Sequence, residues 1–228
     1  MRRSGSPLRG RGAYSLSEAA RYASVHPNTV RSWFLGRSDG KGRGPILSGD
    51  GAVVGSDRAI SFLDLIEVAV AGRLRSSGVT MGTVRQAHDL LQRELQATHP
   101  FAHSDIYTDG QRIFTNAFDT LGGERLRDVI SRQQYFPRIR ELLDHVVYND
   151  ETGMASRWRI AEGVHLDPAV SHGKPVVGDT GVTTYVVSQM YRANQQDSRL
   201  VADLLHLAEK DVINAVRFEE DLGWSRAA

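Results

Sequence analysis

Two helix-start signals stand close together in residues 14–34, YSLSEAARYASVHPNTVRSWF. Ser15 and Glu18 form a capping box, in which each side chain accepts a hydrogen bond from the other residue's backbone N–H. Pro27 suits the first position of a second helix, where its missing N–H is not needed. Apolar residues follow both signals at helical spacing. The segment therefore predicts two short helices joined by a tight turn, which is a helix-turn-helix.

The second predicted helix has an inner and an outer face. Val30, Trp33 and Phe34 are spaced to point inward, so Trp33 is expected in the core and not as a stacking platform. Leu35 and several polar residues remain outside, where a helix-turn-helix meets the major groove of DNA. We expect base-edge contacts from three short polar side chains, Asn28, Thr29 and Ser32. We expect phosphate contacts from four basic side chains, Arg31, Arg37, Lys41 and Arg43.

A glycine-rich basic segment comes next, with seven glycines between Gly36 and Gly55. Ser-Gly-Asp-Gly separates the apolar pairs 46–47 and 53–54, which predicts a β-hairpin. Directly after a helix-turn-helix, such a hairpin would be a wing; the alternative is an unstructured linker. Residues 1–13 are predicted to be a disordered basic arm, which could either be idle or reach into a minor groove.

Beyond the hairpin the pattern is mostly helical. Ser61 with Asp64, and Thr80, are predicted caps of two further helices that end before Pro100. Asp109-Gly110 predicts a hairpin between 106–107 and 113–114. Helices are expected around 126–130 and 139–147, short strands at 164–167 and 175–177, and three helices after residue 183. Leu200, Val201, Leu204 and Leu205 are expected to face inward on the second of these helices.

The predicted fold class is mainly α. It comprises a MerR-like winged helix-turn-helix at 14–100, a small α/β connecting module at 101–162, and a small hairpin plus three-helix, helix-turn-helix-like domain at 163–228. The stretch 171–185, SHGKPVVGDTGVTTY, has the glycines and the lysine of a phosphate-binding loop. Its glycine spacing does not fit such a loop, and Pro175 follows Lys174 where a serine or threonine is needed. Its glycines are therefore predicted to form turns.

Two segments resemble known families. Residues 14–96 resemble MerR-type winged helix-turn-helix proteins, through the Tyr-x-x-x-Glu-x-Ala opening and the Thr-Val-Arg of the second helix. Residues 164–222, with Gly-Lys-Pro, an apolar pair and a helix starting just after, resemble a domain of unknown function found in or beside VapB-like antitoxins. Together these resemblances imply an antitoxin that binds a PIN-domain, VapC-like ribonuclease toxin and represses its own operon. The alternative is a MerR-like, ligand-responsive regulator without a toxin, which the absence of sustained heptads after Pro100 disfavours.

Charge is distributed unevenly along the chain. Residues 1–75 hold 12 basic and 6 acidic residues, whereas residues 165–228 hold 6 and 9, so only the front of the chain attracts polyanions. The acidic carboxyl-terminal part is the expected toxin-binding region, with Leu204, Leu205 and Phe218 as candidate contacts for the toxin or for a dimer partner. A homodimer on palindromic operator DNA is expected.

No enzyme signature is present. The chain lacks cysteine, which removes disulfides, thiolate zinc sites and cysteine nucleophiles. The densest acidic groups, 64 with 67 and 219–221, are predicted to lie on solvated helix faces, and the histidines have no metal-ligand spacing. We therefore expect no catalytic residues, no metal and no cofactor. No segment has the pattern of a signal peptide or a membrane span, so a cytoplasmic location is expected.

Overall fold

The computed structural model describes residues 12–36, 44–47, 53–54, 57–108 and 136–224. These residues are mostly helical, with short antiparallel strands. They form two compact units, an amino-terminal unit, Tyr14–Ser156, and a carboxyl-terminal unit that begins at Arg157. The predicted mainly helical fold class is confirmed at this coarse level.

The amino-terminal unit opens with a strand and two short helices and continues through longer helices. In chain order its elements are β1 (Tyr14–Ser15), α1 (Leu16–Tyr22), α2 (Pro27–Leu35), β2 (Val53–Val54), β3 (Asp57–Ile60), α3 (Phe62–Ser76), α4 (Met81–Glu94), a 3-10 turn (Pro100–Ala102), α5 (Phe136–Leu143) and β4 (Val146–Tyr148). The first sheet has the order β1-β3-β2, with β3 antiparallel to both neighbours.

The helix starts are those that the sequence predicts. Ser15 and Glu18 form the capping box of α1, and Ser61 and Asp64 form that of α3. α2 begins at Pro27, and the His26 imidazole Nδ1 accepts the Asn28 N–H at 3.2 Å. A histidine thus serves as the cap that small polar residues usually provide. The inner face of α2 is buried as expected, through Val30, Trp33 and Phe34.

The hairpin next to the helix-turn-helix differs from the one predicted. Val53–Val54 pairs with Asp57–Arg58 and not with Ile46–Leu47. The N–H groups of Ile46 and Leu47 instead donate to the Trp33 carbonyl, at 2.7 and 3.1 Å. The predicted pairing was wrong, because Val53–Val54 pairs with the strand that follows it in the chain and not with the segment that precedes it.

α3 approaches the turn between α1 and α2 closely at Gly72. A Cβ atom added to Gly72 would lie 2.6 Å from Val25 Cγ2, which is closer than van der Waals contact allows. Glycine in mid-helix costs about 1 kcal/mol relative to alanine. The close contact between the helix and the turn explains why glycine suits this position.

Gly72→Ala is therefore expected to lower the free energy of unfolding by about 1–2 kcal/mol, because overpacking exceeds the gain in helix propensity. Urea denaturation followed by circular dichroism measures the change. In a Val25→Ala background the same substitution should instead stabilise the protein, since the clashing methyl group is gone. A destabilisation of equal size in both backgrounds would contradict the contact with Val25.

Four titratable side chains are buried together where α3, α4 and the 3-10 turn meet: Asp64, Glu67, His88 and His99. His88 Nε2 lies 3.0 Å from both carboxylate oxygens of Glu67, and the Phe101 N–H donates to Glu67 Oε1 at 3.2 Å. His99 Nδ1 lies 3.6 Å from Asp64 Oδ1. The prediction that Asp64 and Glu67 lie on a solvated face was wrong, because both carboxylates have partners from distant parts of the chain.

Burial affects the two carboxylates of this cluster differently. It raises the pKa of Asp64 above its usual 3.8, and the hydrogen bonds from Ser61 only partly oppose this. Burial would also raise the pKa of Glu67, but His88 and His99 outweigh it, and the pKa falls below 4.5. Glu67 is therefore held as the charged member of the cluster by its imidazole partners.

Two predictions for the rest of this unit were wrong. Residues 104–108 are helical, so Ile106 and Tyr107 do not form the predicted strand; residues 109–130 lie outside the described residues. The predicted helix over 139–147 ends at Leu143, and Val146–Tyr148 is β4. β-branched residues with period-two burial fit a strand as well as a helix over so short a run.

The carboxyl-terminal unit combines short strands with three helices. Strand β5 (Ala155–Ala161) carries the chain across the unit boundary, and β6 (Val164–Leu166), β7 (Val176–Val177), α6 (Thr184–Ala193), α7 (Ser198–Leu205) and α8 (Glu209–Trp224) follow. Within this unit β6 lies between β5 and β7 and is antiparallel to both. Thr183 caps α6, and Asp197 caps α7. Gly173 and Gly178 have positive φ, as turns require.

A single apolar core joins the three helices of this unit. Its members include Val187, Val201, Val212, Ala215 and Val216, with Leu205 partly buried against them. Leu200 and Leu204 were expected inside but are 42% and 53% exposed. Leu200 and Leu204 lie about 100° around the helix axis from Val201 and Leu205. The core covers the Val201–Leu205 side, so the other side faces solvent.

Candidate nucleic-acid interface

The outer face of α2 presents the polar residues that the sequence predicts to read DNA. Asn28 and Arg31 are exposed, and Thr29 and Ser32 are half-buried. The Ser32 hydroxyl donates to the Thr29 carbonyl at 2.7 Å, so it meets a ligand as an acceptor. Together these side chains can donate and accept hydrogen bonds at base edges, with one guanidinium for a phosphate.

The three basic residues predicted to contact phosphates after α2, Arg37, Lys41 and Arg43, lie outside the described residues. The segment that follows them is anchored to α2 by the two hydrogen bonds from Ile46 and Leu47 to the Trp33 carbonyl. Leu47 is buried. The chain therefore returns from these basic residues to a fixed position beside the carboxyl-terminal half of α2.

A cleft of about 210 Å³ lies between α2, this returning segment and the start of α4. It is lined by Ser32, Trp33, Gly44, Ile46, Met81, Gly82 and Arg85. Arg85 donates from Nη2 to the Gly44 carbonyl at 2.5 Å, so its guanidinium is held at the edge of the α2 face. The cleft thus combines apolar walls with a cation and a hydroxyl.

Arg85 was missed as a candidate site residue in the sequence. A signal was present, because residues 68–88 contain Arg73, Arg75 and Arg85 and no aspartate or glutamate. This run carries three arginines and no acidic side chain to offset them. It indicates a surface with positive potential.

The candidate partner-binding residues of the carboxyl-terminal unit occupy three different environments. Leu204 is exposed, Leu205 is half-buried against the core, and Phe218 is 8% exposed. Leu200 and Leu204 lie one helical turn apart on α7, so they form a small apolar surface. Leu204 is therefore the candidate best placed to touch another molecule.

The described residues bear on metal binding and on membrane insertion. Within the described residues, no group of three or more histidine, cysteine, aspartate or glutamate side chains could hold a metal ion. No helix in the part of the chain that the structure describes is long and apolar enough to cross a membrane.

Comparison with known proteins finds a family match, a relative and a solved structure. Residues 164–218 match a family described as Protein of unknown function (DUF433). A protein of Mycobacterium tuberculosis (strain ATCC 25618 / H37Rv), named "Putative antitoxin VapB45", is 26% identical over 187 residues, 74% of this chain and 78% of that protein. The crystal structure of Rv2018 from Mycobacterium tuberculosis aligns with a TM-score of 0.74 and 26% identity, covering 93% of this chain and 98% of that one.

Proposed function

We propose that this protein is a DNA-binding antitoxin of a toxin–antitoxin system, without enzymatic activity. The observation that carries the proposal is the similarity to "Putative antitoxin VapB45", because it covers most of each protein. The match to a family of unknown function at residues 164–218 falls in the segment that resembles a domain found in or beside VapB-like antitoxins. The resemblance to VapB-like antitoxins points to a PIN-domain, VapC-like ribonuclease as the toxin.

The DNA half of the proposal rests on the geometry of α1 and α2. Two capped helices share a tight turn, the inner face of α2 is fixed by Val30, Trp33 and Phe34, and the polar face is free to enter a groove. This arrangement supports the proposal of a MerR-like helix-turn-helix. Asn28, Thr29 and Ser32 would meet base edges, and Arg31, Arg37, Lys41, Arg43 and Arg85 would meet phosphates. A homodimer would bind palindromic operator DNA in the cytoplasm and repress the operon.

The toxin half of the proposal rests on the carboxyl-terminal unit. Its excess of acidic residues suits a nuclease whose nucleic-acid groove is basic. Leu204 is exposed, and Leu205 lies beside it. Phe218 would support the surface from the core, since it is buried.

Co-expression with the neighbouring open reading frame tests whether its product is a toxin that this protein binds. A tagged antitoxin should retain the second protein through size exclusion and suppress its ribonuclease activity. Leu204→Asp should weaken that retention, whereas Ile213→Asp, at an exposed site on α8, serves as the control. Failure of the neighbouring product to associate would refute the pairing.

Arg31→Ala is expected to weaken binding to all DNA sequences about equally and to lower the slope of log K against log salt by about one, because one phosphate contact is lost. Fluorescence anisotropy with the promoter of this operon, between 50 and 200 mM salt, measures the slope. Asn28→Ala is the matched control, since a base contact should alter sequence preference with the slope retained. An unchanged slope for Arg31→Ala would remove Arg31 from the phosphate contacts.

The cleft beside Ser32 favours a second candidate, a ligand-responsive regulator without a toxin. A molecule bound there would touch Ser32 and Arg85 at the edge of the DNA-reading face. This candidate requires a small molecule that alters DNA affinity, together with the absence of a co-purifying toxin. The antitoxin proposal requires instead that a toxin co-purifies and that DNA affinity does not depend on a small molecule.

A further inference from the structure

We propose that Leu35 recognises the methyl group of a thymine in the major groove and thereby contributes sequence specificity to DNA binding by α2. This inference rests on the proposed DNA-binding function and deepens it, because it names a base and the side chain that selects it. It adds an apolar contact to a helix face whose other candidate contacts are polar or charged, namely Asn28, Thr29, Arg31 and Ser32.

Leu35 differs from most apolar residues of the amino-terminal unit in its exposure. Its exposed fraction is 49%, although a leucine at the end of a packed helix could have been buried. Among the described residues of this unit, the large apolar side chains that remain exposed are Leu35 and Val147. Val147 belongs to β4, whereas Leu35 belongs to the candidate DNA-reading helix. Covering such a side chain with an apolar partner is favourable.

Helix geometry places Leu35 near the centre of the outer face of α2. Seven residues take an α-helix through almost two full turns, so Leu35 points within about 20° of the direction of Asn28. Ser32 lies about 40° from Asn28 on the other side. The three buried residues of α2 lie on the opposite side of the helix. A duplex that meets Asn28 and Ser32 therefore also faces Leu35.

The last turn of α2 is held in position, so Leu35 keeps this direction. The Gly36 N–H donates to the Ser32 carbonyl at 3.1 Å, which keeps the helix intact through Leu35. The Trp33 carbonyl accepts two N–H groups from the segment that returns beside α2. Since this backbone is already ordered, contact with DNA does not have to order it, which favours a specific contact.

The chemistry of the major groove identifies the thymine methyl group as the partner of Leu35. The edges of the base pairs present hydrogen-bond donors and acceptors there, and thymine adds an apolar methyl group. A leucine that covers a donor or an acceptor leaves that group without a hydrogen bond, which is costly. Leu35 is therefore expected to favour thymine and to disfavour the other bases at the position that it faces.

The experiment removes the methyl group from the DNA and the leucine from the protein, separately and together. Each thymine in the protected region of the promoter is replaced in turn by uracil, which lacks only the methyl group. Fluorescence anisotropy gives Kd for wild type and for Leu35→Ala. At the contacted thymine, uracil should weaken wild-type binding about fourfold, as expected for one buried methyl group. Leu35→Ala should bind the thymine duplex more weakly and should no longer distinguish thymine from uracil there.

Two comparisons separate this contact from other effects of the substitution. Ile213→Ala is the matched control, because Ile213 is 43% exposed on α8, outside the helix-turn-helix. This variant should keep the affinity and the thymine preference of the wild type. Leu35→Ala should keep the wild-type salt slope, unlike Arg31→Ala, because no phosphate contact is lost.

The outcomes distinguish failure of this inference from failure of the proposed function. If uracil has no effect on the wild type at any position, or if Leu35→Ala retains the preference for thymine, the contact is refuted while DNA binding by α2 stands. If Leu35→Ala lowers the salt slope or abolishes binding, Leu35 acts on the orientation of α2, and the contact is likewise refuted. If the wild-type protein binds neither its promoter nor random duplex DNA at low salt, the proposed function itself fails.

Discussion

Replacing His88 by leucine is expected to be among the most damaging single changes in the amino-terminal unit. The Glu67 carboxylate is buried, and His88 Nε2 is 3.0 Å from both its oxygens. Removing the imidazole leaves a buried carboxylate without its nearest partner, which costs about 3–5 kcal/mol. Urea denaturation monitored by circular dichroism measures this loss.

A second change tests the cause of that loss. In His88→Leu with Glu67→Gln, the uncharged amide can still accept the Phe101 N–H, so most of the lost stability should return. His103→Leu is the matched control, because His103 and its neighbour Asp105 are partly exposed and 3.6 Å apart, and the cost there should be ~1 kcal/mol or less. Equal losses for the two histidine variants would contradict the importance of burial.

The Glu67 carboxylate also predicts how the free energy of unfolding depends on pH. The pKa of Glu67 is lowered from 4.5 in the folded protein, so its contribution is complete above about pH 4.5 and declines as the pH falls through the folded-state pKa. Asp64 acts in the opposite sense, because its pKa is raised from 3.8. The difference between wild type and Glu67→Gln therefore isolates Glu67, and it should shrink below pH 4.5.

Trp33→Ala is the second large effect expected, with a loss of about 3–5 kcal/mol from the cavity left behind α2. Trp33 is almost fully buried, and its indole Nε1 has no hydrogen-bond partner among the described residues. Trp33→Phe removes this unpaired donor, whose burial costs ~1–3 kcal/mol, and keeps most of the apolar area. The phenylalanine variant should therefore lie within about 1 kcal/mol of wild type.

Thermal and urea denaturation of the two variants, with promoter binding measured below each melting point, checks this expectation. The alanine variant should also lose DNA affinity, because Val30 and Phe34 alone would not fix the orientation of α2. Similar losses for alanine and phenylalanine would show that the indole N–H is satisfied and stabilising. That result would overturn the description of Trp33 as an unpaired donor.

Features that depend on residues close together in the chain were predictable from the sequence, whereas features that depend on distant residues were not. The helix starts were predictable because the caps at Ser15, Ser61, Thr183 and Asp197 involve residues within three positions of each other. The inner face of α2 was predictable from spacing alone. The pairing of Val53–Val54 was not, because neighbouring turn signals compete and the backbone pairing decides between them.

The contacts of the buried cluster and of Arg85 could not be predicted from neighbouring residues in the sequence. Glu67 looks like a surface residue until His88, 21 positions later, is brought against it. Arg85 meets Gly44 over 41 positions. Such partners share no pattern in the sequence, since only the packing of α4 on α3 creates them. The exposure of Asn28 and Arg31 on α2 was accessible to sequence reasoning, whereas the position of Arg85 beside Gly44 was not.

The tiny strand β1 has a consequence of its own. Ser15 is paired with Ala59 of β3 and also caps α1, so one residue belongs to a sheet and to a helix at the same time. A displacement of β3 would therefore also displace the first turn of α1, because Ser15 connects the two. The β2–β3 hairpin and the two helices α1 and α2 are expected to move together.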